Sequence, residues 1–166
     1  MRKHKVVILC MVLVCVSVIL NWPIPFSKSV RALEISLSDS NHLAERSITI
    51  VGHYNLNLFK SDRFEGKISI SGYSETTDYD SMAPIDISFN DGDGLRYSNT
   101  YKGDIYLWGN IFSEKFFRNM VLVAYNHDMN NPNVGWYNAT NAICIVSNAT
   151  SYEQALIAAQ NALGYS

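Results

Sequence analysis

The sequence predicts a mainly β protein, an antiparallel β-sandwich or barrel of about seven strands with one C-terminal α-helix, preceded by an N-terminal signal or anchor helix. Three observations carry that expectation. The chain opens on a basic head and an apolar run, it alternates apolar and polar residues from Ile48 onward, and it closes on a helical stripe behind a capping pattern.

The opening segment reads as an export signal. Arg2, Lys3 and Lys5 precede an apolar run over residues 6–20, broken only by Ser17, and Asn21, Trp22, Pro23 and Pro25 then stop any helix. A basic head, a short apolar middle and a breaker form the pattern of a secretory leader. Fifteen apolar residues rise about 22 Å as a helix, short of the ~30 Å hydrocarbon core. Removal is therefore favoured over retention as an anchor. Two small-residue sites suit a peptidase, Ser27-Lys28-Ser29 and Val30-Arg31-Ala32. If the leader is kept, the head stays in the cytoplasm and the domain faces outward. Membrane contact is then expected only through residues 6–20. Leu9 and Val14 precede Cys10 and Cys15, so neither cysteine has the small neighbour that bacterial lipid attachment requires.

These signals divide the chain into residues 1–32 as signal peptide or anchor, 33–45 as a polar linker or loose arm, and 46–166 as a single β-rich domain. Five of the 13 Lys and Arg residues and none of the 15 Asp and Glu lie in residues 1–32. The remainder has 8 bases against 15 acids, a net charge of about −7. That balance argues against nucleic acid as a partner, since phosphates are met by clustered Lys and Arg. Cys144 is the single cysteine after the leader, so no internal disulfide is expected and stability must come from a packed core. Its setting, Ile143-Cys144-Ile145-Val146, reads as a buried strand.

Strand elements follow from period two. Ile48, Ile50, Gly52, Tyr54, Leu56 and Leu58 share one face, and after a polar turn Phe64, Gly66, Ile68 and Ile70 resume the pattern. Ile85, Ile87 and Phe89, then Leu95 and Tyr97, flank the turn Asn90-Asp91-Gly92-Asp93-Gly94. Ile105, Leu107, Gly109 and Ile111 precede a turn at Ser113-Glu114-Lys115, Met120, Leu122 and Ala124 follow it, and a last strand covers residues 142–146. The phrases Leu58-Phe59-Lys60-Ser61-Asp62-Arg63-Phe64 and Ile111-Phe112-Ser113-Glu114-Lys115-Phe116 echo one another, as two hairpins built alike or by chance. Thr150-Ser151-Tyr152-Glu153 has capping-box spacing. Tyr152, Ala155, Leu156, Ala159 and Leu163 form a stripe ended by Gly164, so a helix is expected over about 151–163.

Catalytic chemistry finds little support. There is no nucleophile-elbow serine, no phosphate-binding glycine loop and no tight group of zinc ligands, and His42, His53 and His127 are isolated. No cofactor is expected. The acids Asp78 and Asp80, and Asp91 and Asp93, are weak calcium candidates, because loop carboxylates supply hard oxygen ligands. Asp-Gly is equally a hairpin-turn pair, and the turn is preferred. Tyr106 and Trp108 lie opposite Ile105 and Leu107, and with Trp136 and Tyr137 they make a candidate binding surface for a glycan or a protein. Burial of these rings, both faces being core, is the preferred alternative. The sequence thus points to an exported, non-enzymatic β-domain, secreted or held at the outer face of the membrane, that binds a protein or glycan partner or serves a structural role. A calcium-assisted or carbohydrate-binding module, and a small extracellular hydrolase with dispersed carboxylates, are the alternatives.

Overall fold

The computed structural model describes residues 6–8, 10–12, 17, 22–57, 61–77, 84–89, 92–98, 105–128, 131–136 and 142–164. Most of the expected signal helix therefore lies outside the described residues. Among those described, no helix is long and apolar enough to cross a membrane.

Alternating residues build the strands as expected, because each places one side chain on either face of the sheet. The main sheet contains β1 (Ile24–Ser36), β2 (Leu43–Asn55), β3 (Arg63–Ile70), β4 (Ile85–Ser88), β5 (Asp93–Ser98), β6 (Ile105–Ser113), β7 (Met120–Ala124) and β10 (Ile143–Ser147). The short strands β8 (Asn126–Asp128) and β9 (Asn131–Trp136) form a separate antiparallel hairpin. The main sheet runs β4-β3-β2-β1-β10-β7-β6-β5, with every pairing antiparallel. It is nearly closed into a barrel, with a helix, α1 (Tyr152–Leu163), at the C-terminal end.

The largest correction concerns residues 24–45. The sequence assigns them to a leader and a loose arm, yet β1 is a central strand, paired with β2 from Ile24↔Tyr54 to Ile35↔Leu43 and with β10 from Ala32↔Ser147 to Ser36↔Ile143. Ala32, Leu33, Glu34, Ile35 and Ser36 are all buried. A strand covered on both faces shows no alternation of polar and apolar residues, and its lower half, Ser27 to Arg31, is polar enough to pass for a linker. β1 is also why the main sheet has eight strands where seven were expected.

The two faces of the sheet make two cores. Inside the barrel, Ile48, Ile50, Tyr54, Phe64, Ile68, Ile70, Leu95, Trp108, Ile111, Phe117 and Leu122 pack as one cluster. Outside, Leu33, Ile35, Val121, Val123, Cys144 and Val146 are covered by Ala155 and Ala159 of α1. The two alanines let the helix approach β1 and β10 closely, which is the physical use of small residues on a packing stripe. Cys144 is fully buried there, and burial pushes its thiol up to about 12. Helix capping is shifted by one residue from the expected box. Ser151 is the N-cap and its Oγ accepts from the Gln154 N–H, while Gln154 Oε1 accepts from the Thr150 N–H and hydroxyl. Gly164 ends the helix at φ 75, as expected.

A bulge changes the phase of β6. Gly109 lies opposite Leu95 but Leu107 lies opposite Arg96, so Trp108 is the extra residue. Trp108 consequently turns into the barrel, 2 % exposed, with Ile111 beyond it. It is not part of an exposed aromatic platform.

The barrel has one seam, between β4 and β5, which are the edges of the sheet. The seam is stitched by side chains. Asp93 Oδ2 accepts from the Ser88 N–H at 2.7 Å, and the Tyr97 hydroxyl of β5 donates to the Ile68 carbonyl of β3 at 2.9 Å. Above β4, Thr76 Oγ1 takes the Ile70 N–H at 2.9 Å. These bonds satisfy backbone groups that the short edge strand leaves open.

Candidate functional site

The two ends of the barrel are built differently, and each contains one buried carboxylate. The β2–β3, β4–β5 and β6–β7 connections lie at the end where β1 begins. Aromatic rings close this end. Phe117 packs edge-on to Phe64 at 4.9 Å and to Phe89 at 5.0 Å, Phe26 lies 5.7 Å from Phe117, and Phe116 stacks on Tyr54 at 4.3 Å. Phe64 has room to lie across the sheet because Gly52 and Gly66 face each other, and a Cβ on either would fall within 2.8 Å of the ring.

Asp62, 1 % exposed, sits under these rings. Its Oδ1 accepts from the Asn57 N–H at 3.0 Å, and its Oδ2 from the Tyr54 hydroxyl at 3.1 Å and Lys115 Nζ at 3.0 Å. Burial pushes the Asp62 carboxyl upward, but the Asn57 amide, Lys115 and Tyr54 outweigh it and hold the acid below its usual range. Tyr54 also receives the Phe116 N–H at 3.4 Å. Burial, with the Asp62 charge nearby, pushes its phenol up to about 12.

The opposite end is polar. On β1, Leu33 and Ile35 face α1, so Glu34 points into the barrel with Ala32. Glu34 Oε2 accepts from Arg46 Nε at 2.7 Å and the Tyr73 hydroxyl at 2.9 Å, and Oε1 lies 2.8 Å from His42 Nε2. Arg46 also lies over the Tyr73 ring at 5.6 Å, and Tyr73 meets Trp108 edge-on at 5.2 Å. Burial alone would raise the Glu34 carboxyl. Hydrogen bonds from Arg46, His42 and Tyr73 reverse that, and the acid is held below its usual range. Burial and the Glu34 charge push the Tyr73 phenol well up.

The residues singled out by sequence do not assemble here. Asp78, Asp80, Asp91 and Tyr137 lie outside the described residues. Asp93 stitches the seam through Ser88, and Trp108 is core. Tyr106 and Trp136 are placed by their backbones, opposite Tyr97 of β5 and Asn126 of β8. Among the described residues, no group of three or more His, Cys, Asp or Glu is placed to hold a metal ion. Sequence reasoning missed Glu34, Arg46, Tyr73 and Asp62. The available signal was a lone acid inside the apolar stretch Ala32-Leu33-Glu34-Ile35, since a buried charge requires a partner. Comparison with known protein families, curated proteins and solved structures finds no match.

Each carboxylate accepts from a cation, a tyrosine hydroxyl and a further donor, and these bonds hold both acids below their usual range despite burial.

Proposed function

We propose that the chain is an exported, non-enzymatic barrel domain that acts by binding a protein or glycan partner, or as a structural or accessory element, at or outside the cell surface. The observation that carries this reading is how the buried polar groups are used. Glu34 and Asp62 direct their hydrogen bonds to Arg46, His42 and Tyr73, and to Asn57, Tyr54 and Lys115. Apart from these acids and their partners, the described inward side chains form one continuous apolar cluster, in keeping with an eight-stranded barrel just wide enough to be filled. Contacts with a partner then fall to the outer wall, where a groove of about 790 Å³ with mixed polar and apolar lining lies between Arg31, Leu33, Glu45, Ser47, Ala149 and Thr150.

The calcium-assisted reading and a sugar-stacking platform built on Trp108 draw less support. Asp93 is engaged with a backbone amide, and Trp108 has no free face to stack on a sugar. The test is fractionation of cells making the untagged chain, followed by assay of the product on a glycan hydrolysis panel. A product outside the cytoplasm without turnover is expected. A product confined to the cytoplasm defeats the export half of the proposal, and turnover abolished by changing one carboxylate defeats the non-enzymatic half.

A further inference from the structure

We propose that the apolar leader is retained as an anchor, and that it seats the aromatic end of the barrel against the outer surface of the bilayer. The inference rests on the export reading above and deepens it. Both sites that suit a signal peptidase, Ser27-Lys28-Ser29 and Val30-Arg31-Ala32, lie inside β1. A cut after Ser29 removes the β1 residues facing Tyr54 through Thr49, and one after Ala32 extends the loss to Arg46. Phe26 would go as well, and it packs on Tyr54, Phe64 and Phe117. Residues 18–26 contain no small side chain. The remaining small pair, Cys15 and Ser17, lies within the run with Val18, Ile19 and Leu20 still beyond it, where the polar stretch of a cleavage region is missing.

The geometry of retention follows. The apolar run over residues 6–20 would span about 22 Å if helical, with Lys5 at one border and Trp22 just past the other, and snorkelling and local thinning accommodate its mismatch with a ~30 Å core. Only Asn21, Trp22 and Pro23 separate the run from β1, a reach of at most about 11 Å. The end of the barrel where β1 starts must therefore lie at the membrane.

That end presents apolar side chains. Trp22, Ile24 and Phe116 are 67 %, 40 % and 39 % exposed. Ile24 lies opposite Tyr54 in the β1–β2 ladder, and Phe116 stacks on the Tyr54 ring, so the two flank one residue. Phe116 is held out at φ 58, a conformation that non-glycine residues rarely take, and Phe117 follows at φ 50. The neighbours that enforce it are the Tyr54 hydroxyl on the Phe116 N–H and Lys28 Nζ, which donates to the Phe116 carbonyl at 3.4 Å and to that of Phe117. Strain stored to expose a ring is what a docking residue requires. Lys115 and Arg118 flank the ring, partly offset by Asp62 and Glu114, so the contact is interfacial and apolar rather than driven by charge.

The test uses the full chain in an exporting host. Intact mass of the membrane-fraction product is expected to be that of the uncleaved chain. In a Cys10→Ala, Cys15→Ala background, Asn41→Cys at the polar end is expected to react in intact cells with a bulky, membrane-impermeant maleimide. Arg118→Cys at the aromatic end is expected to react severalfold more slowly until detergent is added. A product beginning at Val18, Val30 or Leu33, or equal labelling at the two ends, overturns the inference while leaving export standing. Absence of labelling at both positions until the cells are lysed overturns export itself.

Discussion

The aromatic end and the polar end of the barrel solve the same problem in opposite ways. Each must stop water from entering a tube of apolar side chains, and each uses a buried acid, a tyrosine hydroxyl and a cation to do so. At the aromatic end the acid serves the rings. Asp62 fixes Tyr54, Tyr54 fixes the Phe116 amide, and Phe26, Phe64, Phe89 and Phe117 supply the seal. At the polar end the ion cluster is itself the seal, with Arg46 spread over Tyr73 and Tyr73 against Trp108. The lesson is that comparable motifs carry different energetic loads. Ring burial scales with apolar area, whereas a buried ion pair contributes little beyond offsetting its own desolvation unless one partner is removed.

Substitutions at the two ends separate these contributions. The largest effect is expected for Phe64→Ala, which opens a cavity beneath Phe26 and Phe117 and leaves the paired glycines uncovered, at a cost of about 3–5 kcal/mol. Its denaturation midpoint should fall below those of variants at Glu34, Asp62 and Tyr97. Glu34→Leu should come next. It strands Arg46 and the Tyr73 hydroxyl, and because Arg46 is 26 % exposed and finds some water, the loss should be about 2–3 kcal/mol, less than for a fully buried pair. A double variant, Glu34→Leu with Arg46→Met, should recover much of that loss. Failure to recover would mean that the cluster does more than satisfy itself.

Acid should weaken both ends together. Glu34 and Asp62 are held below their usual range in the fold. Their contribution is therefore fully present above the ordinary carboxylate values and is lost as pH falls below about 4. Thermal unfolding of Glu34→Gln with Asp62→Asn should show a lower midpoint at neutral pH and a flatter decline between about pH 4.5 and 2.5 than the parent. An identical acid slope would place the sensitivity elsewhere.

The smallest effect is expected at the seam. Tyr97→Phe keeps the ring and removes one hydrogen bond to the Ile68 carbonyl, for about 0.5–1.5 kcal/mol. Amide exchange should rise locally along β3 and β5, with the aromatic end unchanged.

Sequence alone determined the elements whose two faces differ. β2 and the first half of β3 alternate because one face meets the barrel core and the other is more open to solvent, and Ile48, Ile50, Phe64, Ile68 and Ile70 are buried as the pattern requires. The helix stripe was legible for the same local reason, and the burial of Cys144 from the unbroken apolar run Ile143-Cys144-Ile145-Val146 of a strand covered on both faces. Tertiary structure decided whatever depends on partners distant in the chain. β1 reads as a leader and arm until β2 and β10 cover it. Trp108 changes face because of a bulge that appears only in the pairing of β6 with β5. Glu34 and Asp62 are intelligible only beside Tyr73, 39 residues away, and Lys115, 53 residues away. Periodicity reports which face of an element is wet. It says nothing about which distant donor will satisfy a buried charge, because that depends on how the sheet closes.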